Sequence, residues 1–244
     1  AVAMWPIGSR LVSGRTTLAS LLFRTSIVYG TRKMGEIVAM TEPIYSNSWF
    51  GDYIRETWEQ ELLPRKKRFS RYLEIGVCEG QSMRWVLENL LTEDGDFAVG
   101  VDSYTPKKPK FRKAVGTQRA NRAHNLEPWN DRHIVVEQES GIALRTHPML
   151  HDAFAQFDLI YIDGSHLAID VLEDCVLSWR LLKRGGVIIL DDFHRPLWHG
   201  RPMANAAARS WMLCVGSRIK ELFRIIRPEH PEGEPRQVGF IKRR

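Results

Sequence analysis

The run Val187-Ile188-Ile189-Leu190 is apolar without alternation and leads straight into Asp191-Asp192. A strand with no polar face must be covered on both sides, which is the situation of a central strand in a parallel sheet. Shorter runs of the same kind precede it at Arg71–Ile75, Phe97–Val101, Ile134–Glu137 and Asp158–Ile162. Between them the periodicity turns helical. Trp49, Tyr53, Ile54, Trp58 and Leu62 recur at helical spacing behind the candidate caps Ser46-Asn47-Ser48, until Pro64 stops the run. Gln81–Leu91 and Ala204–Phe223 read as further helices. So does Leu167–Leu182, with Val171, Leu172, Cys175, Val176, Trp179 and Leu182 on one stripe and Gly185-Gly186 closing it. Arg224–Ile226 and Gln237–Ile241, joined by a Pro/Gly-rich turn, predict a closing antiparallel pair. Alternation of this kind predicts an α/β fold: a doubly wound, mostly parallel seven-stranded sheet.

Composition excludes the main alternatives. Eight Trp, ten Phe and six Tyr in 244 residues give too much apolar surface for a disordered chain. No charge-free stretch approaches the ~18–20 residues that a membrane span needs. Cys78, Cys175 and Cys214 form no CxxC pair, which argues against a disulfide framework or a cysteine zinc site and fits a reducing compartment, the cytoplasm. The length suits one α/β domain with an extension. Residues 1–47 are expected to be an N-terminal helical extension, with a short amphipathic helix around Thr17–Val28, and 48–244 the α/β domain. The extension has five basic residues and no acid before Glu36, in the manner of an organelle transit peptide. Its first residue is Ala1 rather than Met, so the natural start is left open.

In such a sheet ligands bind at the carboxyl ends of the strands. The first strand ends Glu74-Ile-Gly76-Val-Cys-Glu-Gly80-Gln-Ser82. Gly76 and Gly80 allow a tight turn and close approach of the backbone to a ligand, and the next helix offers its N-terminal N–H groups. Asp102 ends the second strand, 22 residues beyond Gly80, where an acid can hold both hydroxyls of a ribose. The third glycine of the dinucleotide fingerprint is missing. Three further acids, Asp163, Asp191 and Asp192, stand at adjacent strand ends. Their mutual repulsion calls for a hard cation, and all-oxygen ligation suits Mg²⁺. The competing reading is that Asp191 or Asp192 only caps a following helix.

Glu-x-Gly-x-x-x-Gly-x-Ser at 74–82 and Val-Gly-Val-Asp at 99–102 resemble class I S-adenosylmethionine-dependent methyltransferases. Asp158-Leu-Ile-Tyr-Ile-Asp-Gly-Ser-His166, Trp179-Arg-Leu-Leu-Lys-Arg-Gly-Gly186 and Val-Ile-Ile-Leu-Asp-Asp192 are similar to the metal-dependent branch that holds macrocin-type and, more distantly, catechol-type O-methyltransferases. The resemblance implies a Rossmann-like methyltransferase fold over about residues 48–244. It places Gly76, Gly80 and Ser82 at the methionine end of S-adenosylmethionine, Glu74 near its amino group, Asp102 on the ribose and Glu139-Ser140 at the adenine. It makes Asp163, Asp191 and Asp192 the Mg²⁺ ligands and His166 the base beside Asp163. The competing reading of His166 is a helix cap, and His194 and His199 are weaker substitutes.

The connection 104–132 carries eight Lys/Arg against two acids, with Tyr104, Phe111 and Trp129 interleaved. Long connections are often functional. A lid that attracts an anionic acceptor, an RNA-contacting surface and a solvated loop all fit. The expected function is methyl transfer to a hydroxyl of a small molecule, a sugar, glycoside or phenolic. The runner-up is an RNA methyltransferase, against which stands the absence of an Asn/Asp-Pro-Pro-Tyr segment or a Pro-Cys nucleophile. A non-catalytic module of the same fold is the third reading, and clustered carboxylates count against it. Homo-oligomerisation is left open.

Overall fold

The computed structural model describes residues 42–106, 109–150, 156–193, 197–198, 201–202, 204–226 and 235–243. The expected helix at Thr17–Val28, Lys107-Lys108, His194 and His199 lie outside them.

Strands β1 (Arg71–Ile75), β2 (Phe97–Val101), β3 (His133–Val136), β4 (Phe157–Ile162) and β5 (Leu182–Leu190) are parallel. A two-stranded hairpin, β6 (Leu197–Trp198) and β7 (Arg201–Pro202), follows β5. The last strands, β8 (Ile219–Ile225) and β9 (Gln237–Lys242), complete a seven-stranded sheet in the order β3-β2-β1-β4-β5-β9-β8, with β9 antiparallel to both neighbours. The α-helices among the described residues are α1 (Asp52–Leu62), α2 (Gln81–Asn89), α3 (Arg112–Leu126), α4 (Ser140–Thr146), α5 (Ala168–Leu181) and α6 (Ala204–Val215).

The apolar strands serve two cores. Leu73, Ile75, Ile160, Ile162, Ile188 and Leu190 face Ala143, Leu144, Val171, Cys175 and Trp211 of α4, α5 and α6. The alternate residues Tyr72, Leu159, Tyr161, Val187 and Ile189 face Trp58 and Leu62 of α1 and Trp85 and Leu87 of α2. This two-sided burial is why the strands carry no polar face.

Four local expectations are corrected. Helix α1 begins behind Gly51, whose side-chain-free N-cap replaces Ser46–Ser48, and it is Phe50, not Trp49, that is buried. The polar stretch 104–132 contains the 15-residue helix α3, which buries only Asn125 and Leu126 and so has no apolar stripe to betray it. Helix α5 stops at Leu181; Gly185-Gly186 lie inside β5, Val176 is exposed, and Asp174 and Ser178 take buried positions of the stripe. The helix expected through Phe223 ends at Val215, past which Gly216 adopts φ +51°, and Phe223 is buried in β8.

Candidate active site

Register places the candidate residues in one row. Ile75 pairs with Val101 and Ile162, and Ile162 with Leu190. The next residue on each strand is therefore Gly76, Asp102, Asp163 or Asp191. Backbone bonds carry the row one step further: Asp163 N–H donates to Ile75 O at 2.8 Å and Asp191 N–H to Ile162 O at 3.0 Å. Gly76 sits at φ +91°, and a Cβ there would lie 2.0 Å from Asp163 O. Only glycine lets β1 and β4 close at this point, where the sheet's winding reverses.

The β1–β2 side is built from backbone donors. Cys78 N–H donates to Asp102 Oδ2 and Tyr104 N–H to Asp102 Oδ1, both at 2.9 Å. Tyr104 O–H returns to Cys78 O at 2.6 Å. Cys78 and Tyr104 both hold left-handed backbone, at φ 50° and 45°. Such conformations cost energy and persist where the surroundings impose them, commonly at functional sites. Here they aim two amides at one carboxylate. Each Asp102 oxygen keeps a lone pair for a ligand hydroxyl. Ser82, in the first turn of α2, donates to Glu74 Oε1, and Tyr72 O–H donates to Oε2 at 2.9 Å. Glu74 is fully buried with both oxygens engaged, and burial pushes its carboxyl up to about 8. Gly80 caps α2 at φ 77°.

The β4–β5 side is built from charges. His166 Nδ1 lies 2.6 Å from Asp192 Oδ2. Asp163, His166 and Asp192 each offer a donor atom, all within 4.8 Å of one another. Asp191 is turned elsewhere: it accepts Tyr161 O–H at 2.9 Å and Asp192 N–H at 2.7 Å, and Arg236 Nε stands 3.5 Å away. Burial and the neighbouring Asp191 and Asp192 hold the Asp163 carboxyl well above the usual range. Asp192 also adopts left-handed backbone, at φ 51°.

Gly76, Ser82, Asp102, Glu139, Ser140, Asp163, His166, Asp191 and Asp192 line one cavity of about 760 Å³. Glu74 and Gly80 stand behind its wall. Its roof comes partly from residues before 48. Asn125 of α3 exchanges hydrogen bonds with the backbone of Ile44, at 2.7 and 2.9 Å, and Ser46 N–H donates to the buried Glu79 at 2.6 Å. Tyr45, Asn47 and Trp49 thereby reach the cavity. The basic stretch is partly spent inside the protein: Arg119 and Arg122 pair with Glu137 and lie over the Tyr104 ring. Sequence reading missed Tyr161, Arg236 and this strap. Tyr161 looked like one more apolar strand residue, and Arg236 sits beside β9, whose neighbours no local pattern reveals.

A sheet in this order, with its cavity at the carboxyl ends of the parallel strands and an antiparallel strand beside β5, is the doubly wound fold of class I methyltransferases. Residues 73–193 match the family model described as a methyltransferase domain. Among solved structures, the O-methyltransferase from Bacillus cereus in complex with SAH is 18% identical, with 77% of this chain and 81% of that one covered and a TM-score of 0.53. The O-methyltransferase TomG from Streptomyces achromogenes, involved in tomaymycin synthesis and solved with SAM, is 17% identical, with 80% and 82% covered and a TM-score of 0.55. These likenesses show the fold. The non-reducing polyketide synthase dpfgA of Gibberella zeae is 28% identical over 220 residues, 85% of this chain but 9% of that protein. An uncharacterized protein of Acanthamoeba polyphaga mimivirus is 24% identical over 134 residues, 54% of this chain and 55% of its own length. The chain thus spans a small part of the first curated relative and about half of the second. Among the described residues no helix is long and apolar enough to cross a membrane.

Proposed function

We propose that the protein transfers a methyl group from S-adenosylmethionine to a hydroxyl of a small-molecule acceptor, a sugar, glycoside or phenolic. The observation that carries this reading is the His166–Asp192 pair beside Asp163, in the same cavity as Gly76 and Asp102. Gly76 and Ser82 receive the methionine end of the cofactor, Asp102 the ribose diol, and Glu139-Ser140 the adenine. Glu74 acts from behind, holding Ser82 through its hydroxyl.

Methyl transfer is an in-line displacement. The acceptor oxygen bonds to the methyl carbon while the carbon–sulfur bond breaks, and the acceptor's proton must leave. Asp192 engages His166 Nδ1, which leaves Nε2 as the ring nitrogen that takes this proton. The carboxylate then balances the imidazolium. Alignment of the two substrates in one cavity supplies much of the remaining rate.

A divalent cation fits the donor set, since burial and like charge leave Asp163 with a raised carboxyl that a cation would relieve. Asp163 and Asp192 would hold it, with His166 within reach. When bound, it supplies Lewis acidity toward the acceptor hydroxyl. Asp191 is the member of the expected Mg²⁺ trio whose oxygens are already engaged.

Relatives support a small-molecule acceptor, one being a polyketide synthase and another an enzyme involved in tomaymycin synthesis. The deciding experiment is a labelled-methyl screen over sugars, phenolics and RNA, with and without chelator. Label on a hydroxyl of a small molecule supports the proposal, and label on RNA alone replaces it with the nucleic-acid reading. No binding of S-adenosylmethionine makes the domain a non-catalytic module.

A further inference from the structure

The acid cluster rests on a buried polar chain that belongs to no catalytic motif. Trp58 Nε1–H donates to Gln237 Oε1 at 3.1 Å, and Gln237 Nε2 donates to Tyr161 O–H at 2.9 Å. Tyr161 O–H then faces Asp191 Oδ2 at 2.9 Å and Asp163 Oδ2 at 3.1 Å. Trp58 and Gln237 are fully buried and Tyr161 nearly so.

The direction of this chain follows from donor chemistry. An indole N–H can only donate, so the Gln237 carbonyl must face Trp58. The amide's NH₂ then faces Tyr161, an orientation set by the network rather than by the amide itself. Tyr161 must accept from Gln237, and its single proton has nowhere to go but the carboxylates. An indole in α1 thereby dictates where a phenol in β4 points its proton. Helix α1 also reaches the acid cluster through the residue before Gln237: Arg236 donates to Tyr53 O–H at 2.8 Å and stands 3.5 Å from Asp191 at the end of β5.

Packing alone does not account for this. The rings of Trp58 and Tyr161 meet edge-on at 5.1 Å, and Phe and Leu would fill the same space without desolvating three polar groups. A buried polar chain is worth its desolvation when every member is satisfied and its end is used.

We infer that Tyr161 is a positioning residue that clips Asp163 to Asp191, and that Trp58, through Gln237, sets the direction of its proton. The inference rests on the methyl-transfer reading, with Asp163 at the reacting end of the cavity. Clipped in this way, Asp163 is held at a fixed place beside His166 and Asp192 as acceptors come and go.

The test is a double-mutant cycle of Tyr161→Phe and Trp58→Phe, both of which keep an aromatic ring in place. Tyr161→Phe lowers kcat about 10–100-fold, the range for removing a partner that orients an active-site ligand, and leaves KM for the cofactor unchanged. Trp58→Phe frees the Gln237 amide to turn round and accept the Tyr161 proton, so kcat falls in the same sense. The double variant is no slower than Tyr161→Phe alone, because Trp58 acts only through that hydroxyl. Equal kcat in Tyr161→Phe and the wild type overturns the inference, as do losses that multiply. Cofactor affinity by calorimetry shows that each variant is folded. If the wild type methylates nothing, it is the functional reading that has failed, and the same cycle on Tm decides the relay. Coupled losses support it, and strictly additive ones overturn it.

Discussion

Asp102 and Asp163 occupy equivalent places, each one residue past its strand in the row set by Ile75, Val101 and Ile162. Their surroundings are opposite. Asp102 receives two backbone amides, one on each oxygen. Asp163 faces Asp191 and Asp192, and burial with like charge raises its carboxyl. A carboxylate fixed by amides is a preorganised acceptor for a neutral diol. One fixed among carboxylates is in conflict until a proton, a cation or a cationic partner arrives. One position in the fold thus meets backbone donors on the β2 side and like charges on the β4 side. The difference lies in what the next loop presents.

The comparison breaks most sharply at His166. His166→Ala lowers kcat ~10²–10⁴-fold, the range for loss of a general base, without changing cofactor affinity. Steady-state kinetics beside calorimetry checks it, and an unchanged kcat removes His166 from the chemistry. On the other side, Asp102→Ala weakens S-adenosylmethionine by ~1.5–3 kcal/mol, the usual worth of hydrogen bonds to a charged acceptor. Equal affinity in titration calorimetry refutes the ribose assignment. A divalent cation separates the acids themselves. Asp163→Asn and Asp192→Asn each reduce Mg²⁺ or Mn²⁺ affinity ~10-fold or more, and Asp191→Asn less, because its oxygens already serve Tyr161, Arg236 and a backbone amide. Full activity in excess chelator would leave His166 as the sole activating group.

A separate effect, on stability rather than on the reaction, concerns Glu74, raised from an ordinary 4.5 to about 8 by burial. Between these values the folded protein keeps a proton that the unfolded chain has released. Stability from this group is therefore complete below about pH 4.5 and is lost as pH rises through about 8. Glu74→Gln keeps the hydrogen-bonding shape and flattens that slope. Chemical unfolding of both proteins at pH 5, 7 and 9 measures it, and parallel profiles would reject the raised carboxyl.

Legibility followed the range of the interactions. Strands β1 and β2 lay where apolar runs and terminal glycine or acid placed them, because two-sided burial writes itself into consecutive residues. Helix α3 escaped because a helix with almost no buried face has no stripe to show. The glycine pair at 185–186 misled because a left-handed Gly185 serves a strand as readily as a helix end. Among the acids, the sequence supplied the residues but not their partners. That Asp191 would turn to Tyr161 and Arg236, while Asp192 met His166, depended on β9 entering beside β5 and delivering Arg236 to the cavity and Gln237 to Tyr161.

What the sequence determined by itself was the doubly wound sheet and the row of glycine and acids at its edge, since hydrophobic period and chain punctuation act within a few residues. The tertiary structure alone decided which acid meets backbone amides, which meets His166 and which is held by Tyr161 and Arg236. Charge and hydrogen bonding act across space, between residues such as Trp58 and Gln237 that lie far apart along the chain.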